Sequence, residues 1–169
     1  YLYLKYLDYD QIVYIDTDVY ILEDSEKIPQ VNKLSLVAEP EGSETHSIYK
    51  NYYKFNDDFK YLNAGFFICD KKSANLLSDY MINRIKFKKR GNPKNTDNGI
   101  LNEYVYFNDN KTEFKILDHK WNFWPHYSYL NKIKPNIIHF AGGDGSEYLS
   151  NLNKSKENLR DFLENSYDK

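Results

Sequence analysis

Six short segments rich in apolar, β-branched and aromatic residues predict the strands of this chain. They are QIVYI (residues 11–15), VYIL (19–22), LSLVA (34–38), YLNAGFFICD (61–70), FKILD (114–118) and NIIHF (136–140). The first is a continuous apolar run, which is typical of a strand buried on both faces. Gly65 is expected to interrupt the fourth, because glycine weakens the interior of a strand.

Three segments predict helices. The first, over residues 72–87, has apolar residues spaced three and four apart, as on one face of a helix. These residues are Ala74, Leu77, Met81 and Ile85. Thr96 can cap a second helix over residues 97–106, and Ser155 can cap a terminal helix over residues 155–166.

The remaining segments predict loops or weak helices. Residues 1–8 resemble the tail of a helix, and residues 41–60 are polar without a clear period, which favours a loop or an irregular helix. KFKKRGNPKN (86–95) predicts a basic loop with glycine and proline stop signals. AGGDGS (141–146) predicts a loop after the last strand.

Strands that alternate with helices predict an α/β fold with a mixed, mostly parallel sheet flanked by helices. The length of 169 residues predicts one domain over residues 1–169. In such sheets, ligands bind beyond the carboxyl ends of the strands. Asp16, Asp18, His139 and the pair Gly142 and Gly143 all fall at such ends, which predicts a ligand site there.

Composition excludes several classes of protein. A hydrophobic fraction of 41% supports a packed core, so the chain is not disordered throughout. The net charge of −2 provides no field for a nucleic-acid partner. No apolar run approaches the roughly 18 residues of a membrane span. The single cysteine, Cys69, excludes an internal disulfide framework and fits a reducing compartment, which predicts a cytoplasmic location.

Asp16 and Asp18 stand one residue apart after an apolar strand. In an extended segment their side chains point the same way, so both carboxylates can face one ligand. A divalent cation would offset their repulsion, and oxygen ligands suit Mg²⁺ or Mn²⁺. A solvated polar turn is an equal alternative for an isolated Asp-x-Asp. A third alternative is a phosphatase of the haloacid-dehalogenase type, with Asp16 as nucleophile, although Tyr20 departs from that pattern.

Five motifs in order resemble glycosyltransferases of the GT-A fold, most closely glycosyltransferase family 8, the glycogenin-like and bacterial galactosyltransferase group. The motifs are IVYIDTDVYIL, YLNAGFFICD, DNGILN, KWNFWP and NIIHF. The resemblance spans roughly residues 8–142. It implies a Rossmann-like α/β domain that transfers a hexose from a nucleotide sugar, most simply UDP-linked, with retention.

The resemblance also implies roles for single residues. Asp16, Asp18 and His139 match the metal ligands, and an imidazole among carboxylates favours Mn²⁺ over Mg²⁺. Asp97 and Asn98 match the pair that faces the reacting carbon of the sugar. The segments expected to line the sugar and acceptor pockets supply Asn63, Ala64, Gly65, Trp121 and Asn122.

Each of these residues also has a purely structural interpretation. Asn63 can satisfy a backbone group at a strand kink, and Asp97 can simply favour a helix N-terminus. Trp121 and Trp124 can be core residues, as can a buried, hydrogen-bonded His139. The basic residues of the 86–95 loop favour a solvated helix end over a contact with an anionic acceptor or lipid. They are Lys86, Lys88, Lys89 and Arg90.

Three departures from the family pattern shape the expectations. The nucleotide-binding units that precede the Asp-x-Asp strand in the family are not in this sequence, so we expect the isolated chain neither to bind UDP strongly nor to turn over donor. An exposed sheet edge would then favour self-association. HFAGGDGS lacks the usual lysine, so the amides of Gly142 and Gly143 are the candidate phosphate contacts. Asn98 replaces the usual glutamine.

The sequence therefore predicts a metal-dependent glycosyltransferase. Its expected partners are a nucleotide-sugar donor and a glycan, protein or lipid acceptor. The alternatives that remain open are a catalytically silent GT-A-like remnant or binding domain, and the phosphatase that uses Asp16.

Overall fold

The computed structural model describes residues 3–22, 28–41, 43–54, 58–85, 96–108, 112–127 and 133–154. It is an α/β protein with a mixed sheet, as predicted. The basic segment 86–95 and the terminal helix predicted over residues 155–166 lie outside the described residues. Among the described helices, none has the length and apolarity needed to cross a membrane.

The predicted strands and helices are largely where the sequence pattern placed them. The strands are β1 (Gln11–Ile15), β2 (Val19–Ile21), β3 (Leu34–Ala38), β4 (Leu62–Asp70), β5 (Phe114–Leu117) and β6 (Ile137–His139). The helices are α1 (Glu44–Tyr53), α2 (Lys71–Ile85), α3 (Asp97–Phe107) and α4 (Gly142–Lys154), with 3₁₀ turns at Leu4–Tyr6 and His119–Trp121. Within the described residues 3–8 of the expected helix tail, only a short turn is present, at Leu4–Tyr6.

The chain groups into two compact units, residues 1–14 with 30–117, and residues 15–29 with 118–169. The first unit contains a four-stranded sheet in the order β1-β4-β3-β5. Strand β3 is antiparallel to β4 and parallel to β5. Whether residues 1–169 form one domain stays a prediction.

The core of the first unit forms where the apolar faces of α2 and α3 pack on β3 and β4. Its fully buried side chains come from all four elements, and they include Leu34, Leu36, Leu62, Phe67, Ala74, Leu77, Ile100 and Leu101. Three residues of the predicted apolar stripe on α2 are buried, namely Ala74, Leu77 and Met81. Burial of these faces is the main source of stability for helices of this length.

Strand β4 is continuous through Gly65, so the predicted interruption of the strand is wrong. The glycine does lie at an irregularity in pairing. Leu36 pairs with Phe67, but Val37 pairs with Asn63, so the register shifts across residues 64–66 of β4. A shift of this kind re-aims the side chains on either side of it.

The second unit is built on an antiparallel pair of short strands. In this pair Val19 of β2 lies opposite His139 of β6, and Tyr20 lies opposite Ile138. Phe123 forms an isolated bridge with Ile138 on the other side of β6. Strand β6 is therefore held on both edges.

Two segments for which a loop was predicted, either as one of two alternatives (41–60) or alone (141–146), contain helices. Residues 44–53 form a regular helix, α1, because Ser43 caps it by accepting a hydrogen bond from the His46 amide at 3.0 Å. The segment AGGDGS begins α4, so the loop predicted over residues 141–146 is wrong. Three glycines favour a loop by intrinsic propensity, but packing overrides it here. A Cβ on Gly145 would overlap the backbone of Phe140, so only glycine allows this close approach.

Candidate active site

Three predicted metal ligands lie together in the second unit. Asp16 follows β1 in the chain, Asp18 precedes β2, and His139 is the last residue of β6. Each offers one ligand atom, and these atoms all lie within 4.8 Å of one another. The His139 Nε2 atom is 3.2 Å from Asp18 Oδ1.

Backbone pairing explains why residues so distant in sequence meet. The register of β2 and β6 sets His139 opposite Val19, the residue after Asp18. The Phe140 amide also donates to the Asp18 carbonyl at 2.9 Å. The backbones of Asp18 and His139 are thus held together by strand pairing and by a main-chain hydrogen bond. Neither of these depends on the two side chains.

Burial keeps His139 in the form that binds metals. The imidazole is 3% exposed, and this burial lowers its pKa, while the nearby carboxylates of Asp18 and Asp16 act in the opposite direction. Because desolvation is the larger effect, the neutral ring is favoured. A neutral ring has a lone pair that it can donate to a metal ion. The Asp18 side chain is 47% exposed, so a ligand can reach its carboxylate.

The chemistry of this donor set fits a divalent cation. Two carboxylates supply hard oxygen ligands, and one neutral imidazole supplies a nitrogen. Carboxylates alone would suit Mg²⁺ or Ca²⁺, whereas the added nitrogen suits Mn²⁺ as well. The three side chains can therefore hold a Mn²⁺ or Mg²⁺ ion.

The KWNFWP motif lies behind this cluster. Trp121 and Trp124 are 6% and 3% exposed, which agrees with their interpretation as core residues. Asn122 is fully buried, and its Oδ1 atom lies 2.8 Å from His139 Nδ1. The ring of Trp124 lies 5.9 Å from the imidazole, centroid to centroid. The motif therefore contacts the histidine of the candidate metal centre.

Gly142 and Gly143 are both exposed and begin α4. Gly142 has φ +68°, a left-handed conformation that favours glycine. The first amides of a helix have no acceptor within the helix, so they can face an anion. This is compatible with the predicted phosphate contact.

The other predicted site residues lie in the first unit, where α3 meets β4. Asn98 is the second residue of α3, and its Oδ1 atom accepts a hydrogen bond from the Ala64 amide at 2.6 Å. Asp97 is exposed, and its Oδ1 atom accepts from the Asn98 amide at 2.8 Å. Helix α3 begins at Asp97, with Thr96 as its cap, as predicted.

Asn63 satisfies the backbone at the register shift in β4. Its Oδ1 atom accepts from the Gly65 amide at 2.8 Å, and its Nδ2 donates to Glu39 at 3.2 Å. With only 5% of the residue exposed, these contacts agree with the structural interpretation of Asn63. Ala64 and Gly65 are buried beside it, and the Ala64 amide connects this part of the strand to Asn98.

Two polar residues of this cluster were missed by sequence reasoning. Asn102 lies one turn after Asn98 and bonds both backbone groups of Leu62, accepting at 2.8 Å and donating at 2.7 Å. A polar residue on the otherwise apolar face of α3 was the available signal. Glu39 follows β3, and its position directly after an apolar run was a signal of the same kind as for Asp16.

The carboxyl group of Glu39 is an acceptor for two side chains. The Ser43 hydroxyl donates to it at 2.9 Å, and Asn63 donates to its other oxygen. Burial raises the pKa of Glu39, and the two hydrogen bonds only partly oppose this shift. Glu39 therefore links the cap of α1 to the irregular part of β4.

A cavity of about 550 Å³ also lies in the first unit. Residues such as Asp70, Tyr80 and Tyr104 line it, and none of the predicted site residues does so. This cavity is therefore separate from the predicted site residues, which are identified by their chemistry and their positions.

Comparisons with known proteins agree with the sequence motifs. The family model described as "Glycosyl transferase family 8" matches residues 1–144. No curated protein sequence matches the chain. Among solved structures, the galactosyltransferase LgtC in complex with donor and acceptor sugar analogues has a TM-score of 0.54 at 18% identity, with 95% of this chain and 68% of that chain covered.

Two further structures have the same fold. The apo structure of the bifunctional glycosyltransferase WbbM has a TM-score of 0.59 at 17% identity, over 99% of this chain and 37% of that chain. The glycosyltransferase GlyE of Streptococcus pneumoniae TIGR4 has a TM-score of 0.54 at 18% identity, over 98% and 42%. The chain thus spans less than half the length of these two proteins. The similarities confirm the predicted α/β, GT-A-like fold.

Proposed function

The chain belongs to glycosyltransferase family 8, and from this premise we propose that it acts in transfer of a hexose from a nucleotide sugar to a glycan, protein or lipid acceptor. The proposed nucleotide is UDP, and the proposed outcome is retention of the anomeric configuration, as in the family that the motifs resemble. The reaction is proposed to depend on a divalent metal ion.

One observation carries the proposal. Asp16, Asp18 and His139 offer ligand atoms within 4.8 Å of one another, although they come from distant parts of the chain. A solvated polar turn would not require a buried, neutral histidine beside its carboxylates. A Mn²⁺ or Mg²⁺ ion held by these three residues would offset the charge of the donor diphosphate and of the leaving nucleotide.

We assign the sugar-facing role to Asp97 and a positioning role to Asn98. Asp97 is exposed at the first position of α3, whereas the Asn98 oxygen already accepts the Ala64 amide at 2.6 Å. An oxygen held this closely by the backbone is poorly placed to approach a sugar carbon as well. Asn98 would instead hold the start of α3 against β4.

The remaining residues are proposed to have roles that we consider within each unit by itself. In the first unit, Asn63 fixes the irregular part of β4, and the small residues Ala64 and Gly65 leave room for the close approach of a sugar. In the second unit, the amides of Gly142 and Gly143 would donate to phosphate oxygens at the start of α4. Trp121 is buried in the second unit and would pack beneath the residues there that are proposed to contact the donor.

Both alternative functions predict different behaviour. A phosphatase would hydrolyse a phosphomonoester with Asp16 as nucleophile, and this hydrolysis would be lost in Asp16→Asn. A catalytically silent remnant would not transfer a sugar, whether or not it binds Mn²⁺ and UDP. Transfer from any member of a panel of nucleotide sugars would exclude both alternatives, and hydrolysis of a phosphomonoester that depends on Asp16 would identify the phosphatase.

The metal site can be tested by thermal unfolding with Mn²⁺ and UDP. Ligand at 100 times its dissociation constant adds about 2.7 kcal/mol of stability, which raises the Tm by about 5–11 °C for a chain of this size. Asp18→Asn should remove most of the increase. Asp58→Asn makes the same change at an exposed position of the first unit and should keep it. Mn²⁺ alone is tested as well, because the isolated chain is not expected to bind UDP strongly. An unchanged Tm of the wild-type protein with Mn²⁺, both alone and with UDP, would contradict the proposed metal dependence.

The role of Asp97 can be tested separately. Asp97→Asn should leave the Mn²⁺–UDP stabilisation intact but lower kcat and kcat/KM for transfer together, because it removes an interaction made in the transition state. Loss of Mn²⁺ binding in this variant would show that Asp97 acts on the metal, and our division of roles would be wrong.

A further inference from the structure

We propose that Asn122 is a positioning residue for the metal centre, which sets the tautomer of His139 and presents its Nε2 atom to the cation. The inference rests on the proposed function for its biological meaning, since it concerns a ligand of the proposed metal. The contact that it uses, however, is present without the metal.

The contact between Asn122 and His139 is short and is shielded from solvent. Asn122 Oδ1 lies 2.8 Å from His139 Nδ1, and the two residues are 0% and 3% exposed. Water does not compete for a polar contact at this depth, and an unpaired polar atom there would carry its full desolvation cost. The pair is therefore expected to persist in solution.

The chemistry of the two atoms determines where the proton lies. A carbonyl oxygen can only accept, so the Nδ1 atom of His139 must donate. A neutral imidazole carries one proton, and with that proton on Nδ1 the lone pair is on Nε2. Nε2 is the ring atom that faces Asp18, at 3.2 Å from Oδ1. A cation between them would be bound by the carboxylates and by this lone pair together, and it would offset the repulsion between them.

The backbone holds both residues in register. The Phe123 amide donates to the Ile137 carbonyl at 2.9 Å, and the His139 amide donates to the Phe123 carbonyl at 2.7 Å. These two bonds flank the contact between the side chains, because Asn122 directly precedes Phe123. The orientation of the ring is consequently set before any ligand arrives, which is the role of outer-sphere partners in metal sites.

Full burial also indicates how Asn122 influences the reaction. A side chain with no exposed surface does not contact a substrate, so its effect must pass through a neighbour. The neighbour bonded to its oxygen is His139. Asn122 therefore acts through His139, on the side of the ring that faces away from the metal, and does not contact the sugar directly.

Long-range ¹H–¹⁵N spectra of the imidazole groups test the tautomer in the metal-free wild-type protein. At a pH where the rings are neutral, we expect His139 to carry its proton on Nδ1, with the signal assigned by its loss in His139→Asn. A proton on Nε2 would overturn the inference. This measurement requires neither metal nor activity.

Mn²⁺ affinity, measured by titration calorimetry, tests the consequence. Asn122→Leu keeps the approximate shape but removes the acceptor, and we expect about 10–100-fold weaker binding, as for other partners of metal-bound histidines. Asn122→Asp retains an acceptor for the same proton and should bind within a few-fold of wild type. Asn136→Leu is the matched control, because Asn136 is also buried and directly precedes β6, and a position three residues before His139 in an extended segment lies on the opposite side. This variant should also bind like wild type.

The outcomes separate this inference from the proposed function. If the wild-type protein binds no Mn²⁺, the proposed metal dependence fails, while the tautomer measurement still decides the role of Asn122. If wild type binds Mn²⁺ and a folded Asn122→Leu binds it equally well, the inference is wrong and the proposed function stands. If Asn122→Leu does not fold, the tautomer decides alone, since a proton on Nε2 of wild-type His139 refutes the positioning role and a proton on Nδ1 supports it.

Discussion

The hydrogen bonds between Asn102 and β4 provide a sharp test of how the first unit is held together. We consider the substitution Asn102→Ala. Asn102 is 2% exposed, and its amide bonds the Leu62 amide and the Leu62 carbonyl at 2.8 and 2.7 Å. Its Nδ2 also donates to the Asn98 carbonyl at 2.8 Å. One side chain thus joins α3 to β4 and also contacts Asn98, a predicted site residue.

The loss of stability follows from the groups left behind. Leu62 is fully buried, so two of its backbone groups would lose their partner where water cannot reach. Each such group costs about 1–3 kcal/mol. The Asn98 carbonyl keeps its helical bond, and alanine is the better helix former by about 0.5 kcal/mol. The expected loss is therefore about 2–5 kcal/mol, or a Tm lower by about 4–20 °C.

Urea unfolding and thermal unfolding of the two proteins measure this difference. Asn83→Ala is the matched control, because it makes the same change at an exposed position in α2, where surface substitutions change stability by about 0.5 kcal/mol or less. A loss below about 1 kcal/mol for Asn102→Ala, with Asn83→Ala unchanged, would refute the reasoning, because it would mean that the Leu62 groups are not buried or find other partners.

Two further predictions concern titratable groups of the first unit. Burial raises the pKa of Glu39 in the folded state, so the folded protein binds more protons than the unfolded chain as pH rises from 4.5 to the raised value, and stability falls across this range. Glu39→Gln keeps an acceptor for Ser43, and urea unfolding from pH 4 to 8 should show a flatter pH dependence; parallel curves would contradict this. Burial also raises the pKa of Cys69 to about 12, so the native thiol should not react with Ellman's reagent until urea unfolds the protein, and prompt reaction of the native protein would disprove its burial.

Features with local causes were predicted correctly from the sequence. The six apolar runs each contain a strand, because alternate and continuous burial of β-branched side chains leaves a pattern within a few residues. Thr96 was identified as the cap of α3 because capping involves a side chain and an amide three residues later. The proximity of Asp16 and Asp18 has a similar local cause, since a two-residue spacing directs both carboxylates to one side, while their role as metal ligands stays a prediction.

Only the tertiary structure decided which distant residues meet and which are buried. The pairing of β2 with β6 brings His139 to Asp18, and no local pattern specifies a partner so far along the chain. The sequence motif marked Asn122, but its burial and its bond to the imidazole depend on that pairing. The start of α4 was mistaken for a loop because glycine has a low helix propensity, whereas the need for a small residue at Gly145 arises from the backbone of Phe140. Local propensities depend on adjacent residues, so the sequence determines them directly. Contacts between distant segments depend on strand pairing and on the burial of the side chains between the strands, so only the tertiary structure determines them.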